Sequence, residues 1–186
     1  MAARREATID DLYKAEGKAE IVDGELVLMT AASGLHGYAA GRIYASLLEH
    51  ERRTKHGHAL PDNVGFVVDL PNRRSFSPDA AFYLGQPAAA RFLEGAPVFA
   101  AEVRSEDDYG AAAEKRMAAK RADYFAAGTL VVWDVDALRG EWVRCYSADR
   151  PEEPRVFRRG EIATAEPALP GWSMPVDDLF KGNRRR

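Results

Sequence analysis

Residues 98–105 read Val98-Phe99-Ala100-Ala101-Glu102-Val103-Arg104-Ser105, and a carboxylate is out of place in the middle of that apolar run. Phe, Val and Ala suit a half-buried strand, where Glu102 loses its hydration unless something positive compensates it. The period then changes. From about Tyr109 to Ala126 the apolar positions follow helical spacing, and Gly128 offers the left-handed position at which helices end. Leu130-Val131-Val132-Trp133 is continuously apolar and reads as a buried strand. Strand, helix and strand in succession predict a mixed α/β domain.

The segments on either side agree with that class. Strand-like runs recur at Val64 to Leu70 and Phe76 to Leu84, separated by loops rich in Pro, Asn, Arg and Gly. Before them, Ser33 can cap a helix that begins near His36 and ends by Gly57, with Ala40, Ile43, Tyr44, Leu47 and Leu48 as its apolar stripe. Asp23-Gly24 favours a tight hairpin between Ala19 to Val22 and Glu25 to Met29. Thr8 caps a short first helix that Gly17 closes. Beyond Trp133, a turn at Arg139-Gly140 leads to strands at Trp142 to Tyr146 and Val156 to Phe157, and Leu169 to Pro175 reads as an irregular packed closing segment. Without repeats, low-complexity stretches or a linker, residues 1–186 are expected to form one domain, with a core of about 8–180 and a frayed basic tail at 181–186.

Composition bounds the function. With 46% hydrophobic and 30% charged residues the chain has a globular mix. A formal charge of −3 supplies no global basic field, which argues against tight non-specific binding of nucleic acid or of a membrane surface. A local basic face drawn from Arg52, Arg53, Lys55, Arg73, Arg74, Arg116, Lys120 and Arg121 stays open. The single cysteine, Cys145, forms no intramolecular disulfide, and with no signal peptide or spanning apolar run the expected location is the cytoplasm. The four histidines make no zinc motif, and no phosphate-cradling glycine loop occurs.

Two further residues share the anomaly of Glu102. Asp79, in Ser77-Pro78-Asp79-Ala80, opens another apolar run. Lys120 falls on one helical face with Ala113, Met117 and Tyr124 at roughly 100° per residue, so it projects from an apolar stripe, while Lys115 points to solvent. A divalent ion would compensate both acids, and two strand acids with an inward lysine can assemble a hydrolytic metal site. Each residue has a plainer reading: Asp79 as the start of a turn, Glu102 on an edge strand facing water, Lys120 reaching out past the stripe.

Taken in order, Glu20-Ile21-Val22-Asp23-Gly24-Glu25-Leu26, His36 opening a helix, Ser77-Pro78-Asp79, Ala101-Glu102-Val103-x-Ser105, Lys120 to Gly128 followed by Val131-Val132-Trp133-x-Val135-Asp136, and Leu169-Pro170-Gly171-Trp172 resemble the Uma-two family within the PD-(D/E)xK nuclease superfamily. The likeness runs from about Thr8 to Phe180. It implies a restriction-endonuclease-like αβββαβ core, a mixed central sheet flanked by helices. It further implies Asp79 and Glu102 as metal-binding acids, Lys120 as the active-site lysine, Mg2+ as the usual ion with Mn2+ able to substitute, and Glu20 as an added carboxylate. Glu20 could equally pair across its hairpin, and His36 is either a first-turn residue or a phosphate contact. One position departs from the superfamily pattern: Arg104 stands where a lysine is usual, two residues after Glu102. Alternation along a strand turns it toward the site, where it could hold a phosphate but is too basic to exchange a proton. The expected activity is metal-dependent hydrolysis of DNA by a homodimer. The alternative is a nuclease-fold protein without catalysis that binds or regulates.

Overall fold

A computed structural model describes residues 5–87 and 91–180, so the basic tail at 181–186 lies outside the described residues. Helix α1 (Ile9–Tyr13) opens with a capping box, the Thr8 hydroxyl accepting from the Asp11 amide while the Asp11 carboxylate accepts from the Thr8 amide. Strands β1 (Ala19–Val22) and β2 (Glu25–Leu28) form the expected antiparallel hairpin. Its turn, Asp23-Gly24, has φ of 50° and 72°, the left-handed pair that matches strand twist. Helix α2 (Gly34–Thr54) is capped by the Ser33 side chain and ends at Lys55 in the left-handed conformation.

Next along the chain are β3 (His58–Leu60), β4 (Phe66–Val67), β5 (Ser75–Phe76), β6 (Ala80–Tyr83), β7 (Leu93–Glu94) and β8 (Phe99–Val103). After helix α3 (Ala111–Ala126) follow β9 (Val131–Asp136), β10 (Trp142–Ser147), β11 (Arg150–Arg158), β12 (Ile162–Thr164), β13 (Ser173–Pro175) and a 3-10 turn at Val176–Leu179. The central sheet has six strands in the order β11-β10-β9-β8-β6-β3. Within it β8 and β9 run parallel, with α3 as their crossover, and the other neighbours are antiparallel. Read in chain order, α2-β3-β6-β8-α3-β9 is the αβββαβ arrangement.

Alternation along the strands sorts side chains onto two packed faces. One carries Ala80, Phe82, Phe99, Ala101, Trp133 and Val135 against Ala39, Ile43 and Leu47 of α2. The other carries Ala81, Ala100 and Val132 against Tyr124 of α3 and Phe66, Phe76 and Leu93 of the small β5-β4-β7 sheet. No helix among the described residues is long and apolar enough to cross a membrane.

The structure departs from the sequence reading at five places. The run at 76–84 splits into β5 and β6 because Pro78 has no N–H for a ladder. The run at 64–70 contributes only the two residues of β4. Strand β3 is three residues long, too short for a period to show. Strand β11 spans nine residues rather than two, since its polar, mostly exposed sequence with Pro151 and Pro154 hides an edge strand, and the closing segment contains β13 paired with β12.

Trp133 anchors the α2 face: fully buried, it meets Phe99 and Trp172 at ring separations of 5.4 and 4.9 Å and donates from Nε1 to the Thr164 carbonyl at 3.1 Å. Trp133→Ala is expected to lower unfolding free energy by about 3–5 kcal/mol. Urea denaturation of the two proteins, followed by circular dichroism, measures the difference.

Candidate active site

Asp79 stands one residue before β6, whose Ala80 pairs with Ala101 of β8, the residue next to Glu102. The Asp79 amide donates to the Ala101 carbonyl at 3.0 Å, and Asp79 Oδ2 accepts from the Val103 amide at 2.7 Å. Glu102, two residues after Ala100, sits on the face that α3 covers. From that helix the Lys120 ammonium lies 2.9 Å from Glu102, and Tyr124, one turn on, donates to Glu102 Oε1 at 2.6 Å. Tyr124 is itself stacked on Phe76 with centroids 4.0 Å apart, which fixes the helix phase. Lys115 is exposed, as that phase requires.

Glu20 enters from β1. Lys120 also reaches its Oε1 at 2.9 Å, the Ser77 amide donates to the same oxygen at 2.8 Å, and Arg73 donates to Oε2 at 2.6 Å. Arg73 is oriented in turn by Asp123 at 2.8 Å. Each Glu20 oxygen is already engaged. His36, in the first turn of α2, places Nε2 3.2 Å from Asp79 Oδ1, while its Nδ1 is buried without a partner. The structure thus brings Asp79, Glu102, Lys120, Glu20 and His36 together.

Arg104 does not join them. It lies on the expected side, but Asp134, in register with Glu102 on parallel β9, takes its guanidinium through bonds of 2.8 and 2.7 Å, and Glu114 of α3 takes the rest. The ring of Trp142, 4.9 Å away, covers it. Its guanidinium is thus held by two carboxylates rather than turned free toward the Glu102 side.

Two participants escaped the sequence reading. Lys18, just before β1, sets its ammonium 2.5 Å from Asp79 Oδ1 and 2.7 Å from Asp62 Oδ1. Its signal was present, since Lys18 and Glu20 are two apart and share a strand face. Arg73 gave none, lying in a loop whose path only the fold determines.

The protonation balance follows from burial and neighbours. Burial alone would raise Asp79, but hydrogen bonding to His36 and the charge of Lys18 outweigh it and hold the carboxyl well below its usual range. Burial raises Glu102, and the charges of Asp79 and Glu20 add to this against Lys120. Burial would lower Lys120, yet Glu102 and Glu20 push it above the ordinary lysine value. In this state Lys120 is a fixed cation and not a base.

Among the described residues no group of three or more His, Cys, Asp or Glu stands in an arrangement to hold a metal. The donor chemistry nevertheless suits a hard divalent ion, because Mg2+ commonly takes one or two carboxylates and completes its shell with water and substrate phosphate. Asp79 and Glu102 are such a pair, and at a side-chain exposure of 22% Glu102 is open to solvent.

The mixed αβββαβ sheet is that of a restriction-endonuclease-like fold. By sequence the chain belongs to the Uma2 family, described as "Putative restriction endonuclease", which it matches over residues 7–177. A crystal structure of a putative nuclease belonging to DUF820 from Anabaena variabilis ATCC 29413 is similar in fold, with a TM-score of 0.73 over 93% of this chain and 97% of that one at 15% identity. No curated protein matches the chain.

Lys120→Ala would leave Glu20 and Glu102 facing each other without their shared cation. At neutral pH and without divalent ions, the loss of unfolding free energy should be about 2–4 kcal/mol after allowance for partial exposure. Glu20 is held below its ordinary value, so its contribution exists above that value and is lost as pH falls. In the variant Glu20 loses one of the two cations that lower it and Glu102 loses the cation that opposes its burial, so both should titrate higher than in the wild type. The difference should therefore shrink as pH drops through the carboxylate range, which urea titrations at several pH values will show.

Proposed function

We propose that this protein is a magnesium-dependent nuclease of the PD-(D/E)xK type that hydrolyses DNA phosphodiester bonds. The observation that carries the reading is the cluster of Asp79, just before β6 and bonded through Oδ2 to the Val103 amide of β8, with Glu102 of that same strand and the Lys120 ammonium 2.9 Å from Glu102. Asp79 and Glu102 would hold the ion, with Mn2+ as an acceptable substitute. A bound divalent ion supplies a nucleophilic water at neutral pH and stabilises charge on the phosphoryl and leaving oxygens.

The chain's own groups do the positioning. Lys120 would orient the attacking water and offset negative charge that grows at the phosphorus. Glu20, whose oxygens meet Ser77, Lys120 and Arg73, would aim that ammonium and would add a further carboxylate for the ion if Lys120 or Arg73 gave way. Tyr124 keeps one oxygen of Glu102 in place. His36 meets Asp79 through Nε2, which is also the atom it has to offer a phosphate. Cutting both strands with one site per chain requires two copies, so the working form would be a homodimer.

A plasmid-nicking assay with Mg2+, run against a chelator control, tests the reading. Asp79→Ala should abolish cleavage and weaken metal binding in calorimetry, because a ligand is gone. Lys120→Ala, assayed below its lowered melting temperature, should keep its metal affinity or improve it and lose about a hundredfold or more in rate. Cleavage by Lys120→Ala at the wild-type rate would sink the mechanism. A wild-type protein that binds metal and DNA without cutting would select the non-catalytic binding role.

A further inference from the structure

The chemistry proposed above leaves Lys18 without a task, although its side chain is only 16% exposed and its ammonium is the group nearest Asp79 Oδ1 on the β1 side. Asp79 is one of the two carboxylates on which a divalent ion would rest. An ammonium and an ion therefore compete for the same oxygen, at a cost in charge repulsion. Lys120 stands in the same relation to Glu102 with Glu20 as its second partner, but the second partner of Lys18, Asp62, is half-exposed, so Lys18 is the cation with the easier retreat.

Lys18 also has somewhere to go. Asp62 lies on its other flank at 2.7 Å, is 38% exposed, and is steadied by the Asn63 amide, which donates to the same Oδ1 at 2.7 Å. The Lys18 backbone is pinned, its carbonyl accepting from the Met29 amide at 2.9 Å across the hairpin. Only the four-carbon stem needs to turn, and a lysine stem does so readily. By turning away from Asp79 the ammonium gives up a buried partner, keeps the half-exposed Asp62 it already touches, and is never left unpaired.

We propose that Lys18 is a built-in counter-ion that holds Asp79 while no divalent ion is present and withdraws onto Asp62 when one arrives. The Lys18–Asp62 pair would then set the concentration of free divalent ion at which the site loads. This rests on the metal-dependent reading of the site. In a metal-free protein the ammonium keeps Asp79 from standing as a buried, repelling neighbour of Glu102, and it makes metal uptake a displacement rather than a simple addition.

The test is equilibrium binding of Mn2+ to the full chain, with free Mn2+ counted by electron paramagnetic resonance. It is applied to wild type, Lys18→Met, Asp62→Asn and the double variant. Lys18→Gln, which keeps a hydrogen bond to Asp79 without the charge, serves as a second form of the first change. Lys18→Met and Lys18→Gln should both bind Mn2+ about tenfold or more tightly than wild type, the scale of one partly buried ion pair. Asp62→Asn alone should weaken binding several-fold, because the ammonium has lost its resting place, whereas in the Lys18→Met background it should change binding by no more than about twofold. If wild type binds Mn2+ and neither Lys18 variant binds it more tightly, the counter-ion role is overturned and the nuclease reading stands. If Asp62→Asn weakens binding equally in both backgrounds, Asp62 acts on the ion itself and the withdrawal is overturned. Absence of Mn2+ binding in every protein would overturn the metal-dependent reading and this proposal with it.

Discussion

Three carboxylates crowded against the edge of an apolar sheet are costly unless cations answer them, and the shape of this protein follows from how they are answered. Lys120 answers Glu20 and Glu102 together, Arg73 answers Glu20 from behind, and Lys18 answers Asp79. Each cation comes from a different part of the chain, so neutralising the acids also docks those parts. The β1–β2 hairpin is drawn onto the segment before β5, where the Ile21 amide finds the Ser75 hydroxyl at 2.9 Å and the Arg74 amide finds the Ile21 carbonyl at 3.0 Å. Helix α3 is drawn onto the sheet in the same way, with Tyr124 stacked on Phe76 and donating to Glu102.

Close approach makes this possible. Ala80, Ala81, Ala100 and Ala101 are fully buried at the middle of β6 and β8, and their small side chains leave the helices room to lie near the strands. The bulk that fills the core comes from elsewhere, from Trp133, Trp172 and Phe99 on one face and from Phe66, Phe76 and Tyr124 on the other. The acids thus stand on a rigid, thin platform with large aromatic groups beneath and beside them. A site whose chemistry depends on fixed charges gains from such a platform, since a carboxylate that cannot drift needs no reorganisation when it takes up its work.

Much of this was legible before any coordinates. Helices α2 and α3, the first hairpin and strands β8 and β9 each announce themselves by period, cap or turn, and the three misplaced charges Asp79, Glu102 and Lys120 stand out because apolar neighbours make a charge conspicuous. What stayed hidden has a common cause. Short strands such as β3 and β4 are made by pairing rather than by pattern, and the polar edge strand β11 has no buried face to alternate. The fate of Arg104 depended on Asp134, a residue thirty positions away that only the parallel register with β8 brings alongside. Arg73 and Lys18 are likewise defined by what they meet, and a loop or a strand end does not carry that in its own letters.

Strand β11 has one more consequence. It closes one side of the six-stranded sheet, and it offers a neighbour two prolines, Pro151 and Pro154, among the charges of Arg150, Glu152, Glu153, Arg155 and Arg158. An incoming strand would find amide donors missing and like charges to desolvate, so that side of the sheet resists extension by another chain. A second copy of this chain would have to meet the first through helices, loops or the opposite side, leaving each sheet a finite, self-contained unit. The same border works against edge-to-edge association of sheets, a protection written in residues remote from the candidate site.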